Sequence, residues 1–534
     1  MTVSRRDALM LGGLGVLGAG AMALPMGGAA LAGQASLLDR RLLPRPYVAT
    51  FARPPRAEPT SSGEDDLGPY ERYDIYMRQS AAQLLPTLST PVLGYNGLAP
   101  GPTIVVRRGT RIEATMRNRL PATHPQYGHP MDTSTHLHGS PSLPQYDGYA
   151  SDVTPPHFSK TYKWPNDEPA RTLWYHDHAR HTTAPNVYSG LAAQYHLKDD
   201  AEEDLLPQGN FDVPLTISDA MFNINGSLRL DDRDHSGLWG DVILVNGRPW
   251  PVMKVQRRVY RFRVLNASIS RSYRPTLLPQ GQVHVVATDG GLMPASRAVT
   301  QWKHAPAERY EILIDFRQYP ANSRVELRNL SNTNNRNYDH TNKIMAFDVV
   351  DTPVDTTDPH AYSIPATLVP NDTMALSPAQ AVNRRTMKLK KSDITNRWSI
   401  NERTWADVEA SGYKEVFANP KLGDIELWDI ENSSDGWHHP VHIHLVDFKV
   451  VSRNGKAPFA YERGAKDVVY VGERETVQVL MKFGPHRGKY MIHCHNLPHE
   501  DHDMMVQFSV GLGPNDVDQN DPIHAAPAWY DDEA

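Results

Sequence analysis

One recurrence restricts the fold more than any other feature of this chain. Asn96-Gly97, followed by Pro100, Pro102, an apolar run and Asn118, returns as Asn246-Gly247, Pro249, Pro251, a run and Asn266. A more degraded copy begins at Asn401-Glu402, continues through Ile425 to Ile430 and ends at Asn432. The copies stand about 150 residues apart, an ordinary domain size, so the chain reads as three versions of one unit. Within them, runs such as Arg111-Ile112-Glu113-Ala114-Thr115-Met116 and Tyr260-Arg261-Phe262-Arg263-Val264 alternate polar and apolar residues. Period-two alternation predicts half-buried strands. The 36 Gly and 43 Pro, with Val, Ile, Thr and Tyr between them, predict short strands joined by turns. The expectation is an all-β chain of three similar β-sandwich domains.

Composition breaks mark the boundaries. The acidic run Asp199 to Asp204 and the Pro-rich stretch Asp351 to Pro378 interrupt the strand pattern. They divide the chain into 33–200, 201–350, a surface linker over 351–378, and 379–534. Residues 33 to about 70 show no period and read as an extended arm lying on the first domain. Ahead of them, Ser4-Arg5-Arg6-Asp7 precedes an apolar Gly/Ala-rich run ending in Ala30-Leu31-Ala32, a small-x-small cleavage pattern. Residues 1–32 resemble a twin-arginine export signal, which implies a periplasmic or extracellular protein with no membrane span in the mature chain. A net charge of -6, with both signs mixed throughout, offers no polybasic patch for nucleic acid or an anionic membrane.

Histidine is spread very unevenly. Four His-x-His pairs occur, His136/His138, His176/His178, His442/His444 and His493/His495, where random placement of 24 histidines gives about one. Two pairs fall in the first repeat and two in the third. The middle repeat has Ser270-Arg271-Ser272-Tyr273-Arg274 at the matching place and no metal ligands. A metal site is therefore expected between domains one and three, with the second as a spacer. Each pair on a strand turns two imidazoles to one face. Four pairs converging supply eight nitrogen ligands, enough for three metals that keep open positions for a small molecule.

The chain's only cysteine lies within the densest of these groups, so no internal disulfide can form and Cys494 needs another reason. On a strand it faces away from His493 and His495. His499 and Met504 follow within reach of a chain that turns back, and His439, before a proline and out of register with His442 and His444, can face the same side. Thiolate, two imidazoles and an axial thioether suit an electron-transfer copper. Zinc sites rarely need eight histidines as well. His438 and His502 are neighbours read as surface or supporting groups, and Met505 as core.

These residues resemble the three-domain multicopper oxidases. The motifs are His136-Leu-His138-Gly139, Trp174-Tyr-His176-Asp-His178, His439-Pro-Val-His442-Ile-His444, and His493-Cys494-His495 with His499 and Met504. The similarity covers nearly the whole mature chain, and within the family it is greatest to the bilirubin oxidases and bacterial spore-coat-type laccases. It implies cupredoxin-like Greek-key domains and four coppers per chain. The type 2 copper would take His136 and His442; the type 3 pair His138, His176, His178, His444, His493 and His495; the type 1 copper His439, Cys494, His499 and Met504. Asp147 and Glu500 correspond to acidic residues implicated in proton supply, so Cys494, Asp147 and Glu500 are the expected catalytic residues. The implied reaction is reduction of dioxygen to two waters, coupled to four one-electron oxidations of phenolic, aminophenolic or tetrapyrrole donors by a monomer. Three rivals are a cuprous-ion oxidase, against which the 17 scattered methionines form no Met-rich segment, a copper-free cell-envelope protein on the same scaffold, which would have lost ligands, and a non-catalytic copper-binding cell-envelope protein for storage or delivery, which would need no oxygen-reducing cluster.

Overall fold

The computed structural model describes residues 36–531 except 356, 393, 395, 514–515 and 524–528. The export signal expected over 1–32 lies outside them. Among the described residues, strands form six sheets, and three consecutive stretches of chain supply two sheets each. The paired sheets make three β-sandwiches. No helix of the described residues is long and apolar enough to cross a membrane.

The recurrent asparagines explain why three sequences this different build the same unit. Asn118, Asn266 and Asn432 are buried where long strands end. Each accepts from the backbone N–H two residues on, at 3.1, 3.0 and 2.9 Å. Each also donates its amide to two loop carbonyls: Met131 and Thr154, Arg271 and His304, Trp437 and Gly472. A buried amide satisfied in this way ties the strand end to the loops that follow, beyond which the His-x-His motifs lie in the first and third copies. Asn96, Asn246 and Asn401 sit at positive φ of 53°, 51° and 50°, which asparagine tolerates better than most residues. Their Oδ1 atoms accept from the N–H groups of Tyr76, Thr216 and Lys388.

In all three units the first long strand pairs in parallel with the strand that ends at the buried asparagine, as Gly68–Ala82 does with Arg111–Arg119. The latter strand is buried at every second residue, as its alternation predicts. Val259–Asn266 departs from that expectation, because all eight of its residues are buried. The first sandwich packs on the face that should have met solvent. Arg261 and Arg263 lie there among Glu202, Asp212 and Glu311, and Arg263 reaches Thr172 Oγ1 at 3.2 Å.

The N-terminal arm also differs from expectation. Its hydrogen bonds from Leu38, Tyr47 and Phe51 go to the carbonyls of Phe222, Trp250 and Val252 in the middle sandwich, and only near Ala57 does it reach the first. Leu43, Tyr47 and Phe51 pack on the middle sandwich's apolar core, which holds them there. At the other end, Trp529–Asp531 crosses back to pair antiparallel with Phe158–Trp164 of the first sandwich.

Candidate metal centres

Alternation across strands places the candidate ligands. In Thr135–His138 the side chain of Leu137 enters the apolar core of the first sandwich, so His136 and His138 face the other way. In Gly488–Cys494, Cys494 enters the core of the third sandwich while His493 points opposite. Burying a side chain such as Leu137 contributes roughly 1.5–3 kcal/mol, and it fixes which way the imidazoles face. The strand pairs Thr135–His138 with Arg171–Asp177, and His439–Ile443 with Gly488–Cys494, then bring the four His-x-His pairs together.

The eight imidazoles are all at most 1 % exposed and turn ring nitrogens towards one another. Nε2 of His493 lies 3.1 Å from Nε2 of both His178 and His444. Nε2 of His136 and of His442 are 3.4 Å apart. His138, His176 and His495 form the remaining corner, with ring centroids 5.1 Å apart for His138 and His495 and 5.3 Å for His176 and His495.

Several of the outward nitrogens are held by the protein, whereas His178 Nδ1 and both nitrogens of His495 have no hydrogen-bond partner. Nδ1 of His136, His176 and His442 meets the backbone carbonyls of Asp147, Asp177 and Asp467 at 2.5, 2.8 and 2.8 Å. His444 Nδ1 meets Asp147 Oδ2 at 2.8 Å, and Glu500 Oε2 lies 2.8 Å from His493 Nδ1. Burial lowers the basicity of His136, His138, His442, His444 and His495 well below the ordinary imidazole value, that of His176 to about 3 and that of His178 to about 4, with neighbouring histidines adding to the fall and Glu500 opposing it at His178. Neutral rings with one N–H engaged outward present a free lone pair inward. Burial also pushes Asp147 well above the usual carboxylate range. Glu500 is pushed up by burial too, but His493 and His178 outweigh it and bring it down to about 2.

On the far side of Gly488–Cys494 stands the second group. Cys494 Sγ lies 3.3 Å from His439 Nδ1 and 3.7 Å from His499 Nδ1, and those two nitrogens are 3.3 Å apart. The short helix Leu497–Asp501, with Pro498 in its first turn, folds His499 back over the sulfur. The chain returns as Met505–Val510, with Met504 buried in the same core as Cys494. Burial raises the Cys494 thiol, so a thiolate there calls for a bound cation. Trp398 stacks on His499 with centroids 3.8 Å apart, and half-buried Trp437 stands edge-on to the same ring at 5.6 Å.

The middle sandwich supplies no ligand to these groups, but it is more than the spacer expected from its sequence. Ser236 O lies 3.1 Å from His499 Nε2, Ser272 Oγ meets His438 Nε2 at 2.7 Å, and Ser270 Oγ donates to Asn496 Oδ1 at 2.9 Å. Arg309 reaches Asp467 beside His138. Sequence reasoning missed the roles of Asp467, Arg309, Asn496 and the serines, since single polar residues whose partners lie on another sandwich carry no local signal. His438 is a buried supporting group, and His502 lies against His235.

The donor chemistry fits copper. The imidazole groups leave His138 Nδ1, His176 Nε2 and both nitrogens of His495 without a protein partner although fully buried. A buried polar atom left unpaired costs about 1–3 kcal/mol, which a metal would offset. A lone thiol between two imidazoles is a soft set suited to copper.

Comparison with known proteins gives the same answer. Family sequence models described as "Multicopper oxidase" match residues 77–202 and 384–513. The chain is 41% identical over 465 residues to a bilirubin oxidase of Albifimbria verrucaria, covering 83% of this chain and 77% of that protein. It is 35% identical over 494 residues to a laccase of Bacillus subtilis, covering 82% and 94%. Among solved structures, the McoA multicopper oxidase of the hyperthermophile Aquifex aeolicus superposes with a TM-score of 0.73 at 29% identity, covering 86% of this chain and all of that one.

Proposed function

Because the chain belongs to the multicopper oxidase family, whose members are copper oxidoreductases using oxygen as acceptor, we propose that its two buried centres divide one reaction between them. His439, Cys494, His499 and Met504 would hold a type 1 copper. His136 and His442 would hold type 2, and the triads His138/His176/His495 and His178/His444/His493 would hold the type 3 pair, four coppers in all. Bound copper supplies what no side chain can, the uptake of single electrons and their delivery four at a time to dioxygen, which leaves as two waters.

The chain's own residues do the rest. Cys494 joins the two centres by covalent bonds to His493 and His495. Half-buried Trp437 offers an aromatic surface beside His499, suited to a phenolic, aminophenolic or tetrapyrrole donor, while fully buried Trp398 backs the His499 ring from inside. Asp147 and Glu500 stand against the same cluster with their carboxyls shifted in opposite directions, Asp147 upwards by burial and Glu500 down to about 2 by His493 and His178 in spite of burial. That contrast supports Asp147 as a proton donor and Glu500 as a relay. The observation that carries this reading is the single strand segment whose sulfur faces one set of ligands while its imidazoles face the other.

The three sandwiches correspond on this reading to domains 33–200, 201–350 and 379–534, with 351–378 as linker. The Arg5-Arg6 motif supports export after folding, and the enzyme is taken to act as a monomer. Purified copper-loaded protein tests the whole. Four coppers per chain, a blue band and oxygen uptake with phenols, aminophenols or bilirubin are expected. A colourless copper protein that consumes no oxygen with any donor would sink it, and uptake with cuprous ion alone would replace the organic donor by a metal one.

A further inference from the structure

His138 is held differently from its neighbours. Where His136, His176, His442 and His444 engage Nδ1 outward, His138 engages Nε2, which donates to Asp467 Oδ1 at 3.1 Å, and its Nδ1 has no partner. Its tautomer is therefore the reverse of theirs. The acceptor that decides this is not free to turn. Arg309 Nη1 and Nη2 grip the two oxygens of Asp467 at 2.6 Å each, a two-pronged ion pair with both side chains at most 1 % exposed.

Arg309 is itself fixed, donating to Thr172 O at 2.9 Å in the first sandwich and to Asp289 O at 3.2 Å in the second. Room for it depends on Gly139, the residue after His138. A Cβ there would stand 2.5 Å from Arg309 Nη2 and 2.6 Å from Asp467 Oδ2. Asp467 lies within ligand distance of His138 and His442, yet both its oxygens are taken by Arg309 and His138, which argues against its being a ligand. Its carbonyl meanwhile takes the Nδ1 proton of His442. One residue thus orients a ring from each of the two ligand-bearing sandwiches, under the grip of an arginine from the middle one.

We propose that Arg309, from the sandwich that carries no ligand, is a positioning residue for the cluster: through Asp467 it fixes His138 as its Nε2–H tautomer and presents Nδ1 to the metal. This rests on the copper reading given above. The residues that hold a metal's ligands in place are worth roughly 10–100-fold in metal affinity when removed, which sets the size of the effect.

Arg309→Lys keeps the charge and loses the fork; Asp467→Ala removes the acceptor and keeps the carbonyl that takes His442. In metal-free, 15N-histidine-labelled wild type, His138 should be Nε2–H, and in both variants that preference should weaken. On reloading, both should keep the blue band of the Cys494 centre. Chelator competition should find cluster copper bound roughly 10–100-fold more weakly. If Asp467→Ala does not fold, Arg309→Lys decides alone. A folded variant with the wild-type tautomer and wild-type cluster affinity overturns the proposal, as does wild-type His138 found as Nδ1–H. A wild type without copper or blue colour would instead overturn the functional reading.

Discussion

His439 Nδ1 and Cys494 Sγ lie 3.3 Å apart on neighbouring strands of one sheet, while His493, bonded to Cys494, faces the opposite side. Cys494→Ser should separate the two centres. Serine keeps the shape but offers a hard oxygen that binds copper poorly. The blue band and oxidation of organic donors should vanish together, and metal analysis should still find copper at the imidazole cluster. Normal turnover with phenols in the mutant would reduce Cys494 to a structural residue.

Asp147 presents Oδ2 to His444 and leaves Oδ1 unpartnered, with burial raising its carboxyl. Asp147→Asn can still accept from His444 but carries no transferable proton. Reoxidation of the fully reduced enzyme by dioxygen should slow roughly 100-fold, while anaerobic bleaching of the blue band by donor keeps its rate. Equal slowing of both half-reactions would argue for general damage.

Gly148 is a position where an added carbon has nowhere to go. At φ +77°, its Cβ would lie 2.6 Å from His136 Cα, His136 N and Thr135 O. Gly148→Ala must shift backbone, so it should cost roughly 2–4 kcal/mol and lower the unfolding midpoint. Because the displaced strand carries His136 and His138, cluster copper should be lost before blue colour. An alanine variant with wild-type melting and full copper would contradict the packing described.

His304, buried in the middle sandwich beside Glu308, is lowered to about 4 chiefly by burial. Its neutral form is favoured in the folded state, so its contribution is fully present above the unfolded value near 6.5 and is lost as pH falls towards 4. The ceiling on that loss is roughly 3 kcal/mol. Denaturant titrations of wild type and His304→Gln between these pH values should show a flatter dependence in the variant. Parallel curves would mean that His304 stays uncharged in neither state more than the other.

Much of this could be read from the chain before any coordinates. Period-two alternation is local, so Ile112, Ala114 and Met116 announce a strand, and His493-Cys494-His495 announces which side chains part company. The buried asparagines recur because each satisfies carbonyls a short way along its own chain. What stayed hidden depends on contacts between sandwiches. Nothing in Tyr260 to Val264 distinguishes an arginine bound for water from Arg263, which meets Thr172 across an interface. Arg309 is one arginine among many until Asp467, 158 residues later, is placed beside it. Likewise the arm chose the middle sandwich because Tyr47 and Phe51 found apolar neighbours there.

The pairing of His136 with His442 spans 306 residues. A ribosome adding about 5–20 residues each second leaves roughly 15–60 s between the two histidines, during which the first sandwich can fold but holds only half a cluster. The final strand that closes its sheet, Trp529–Asp531, arrives later still. The nascent chain thus exposes two His-x-His pairs, able to seize stray metal in the wrong geometry, long before their partners exist. The complete set of eight imidazoles is for that reason a property of the finished chain.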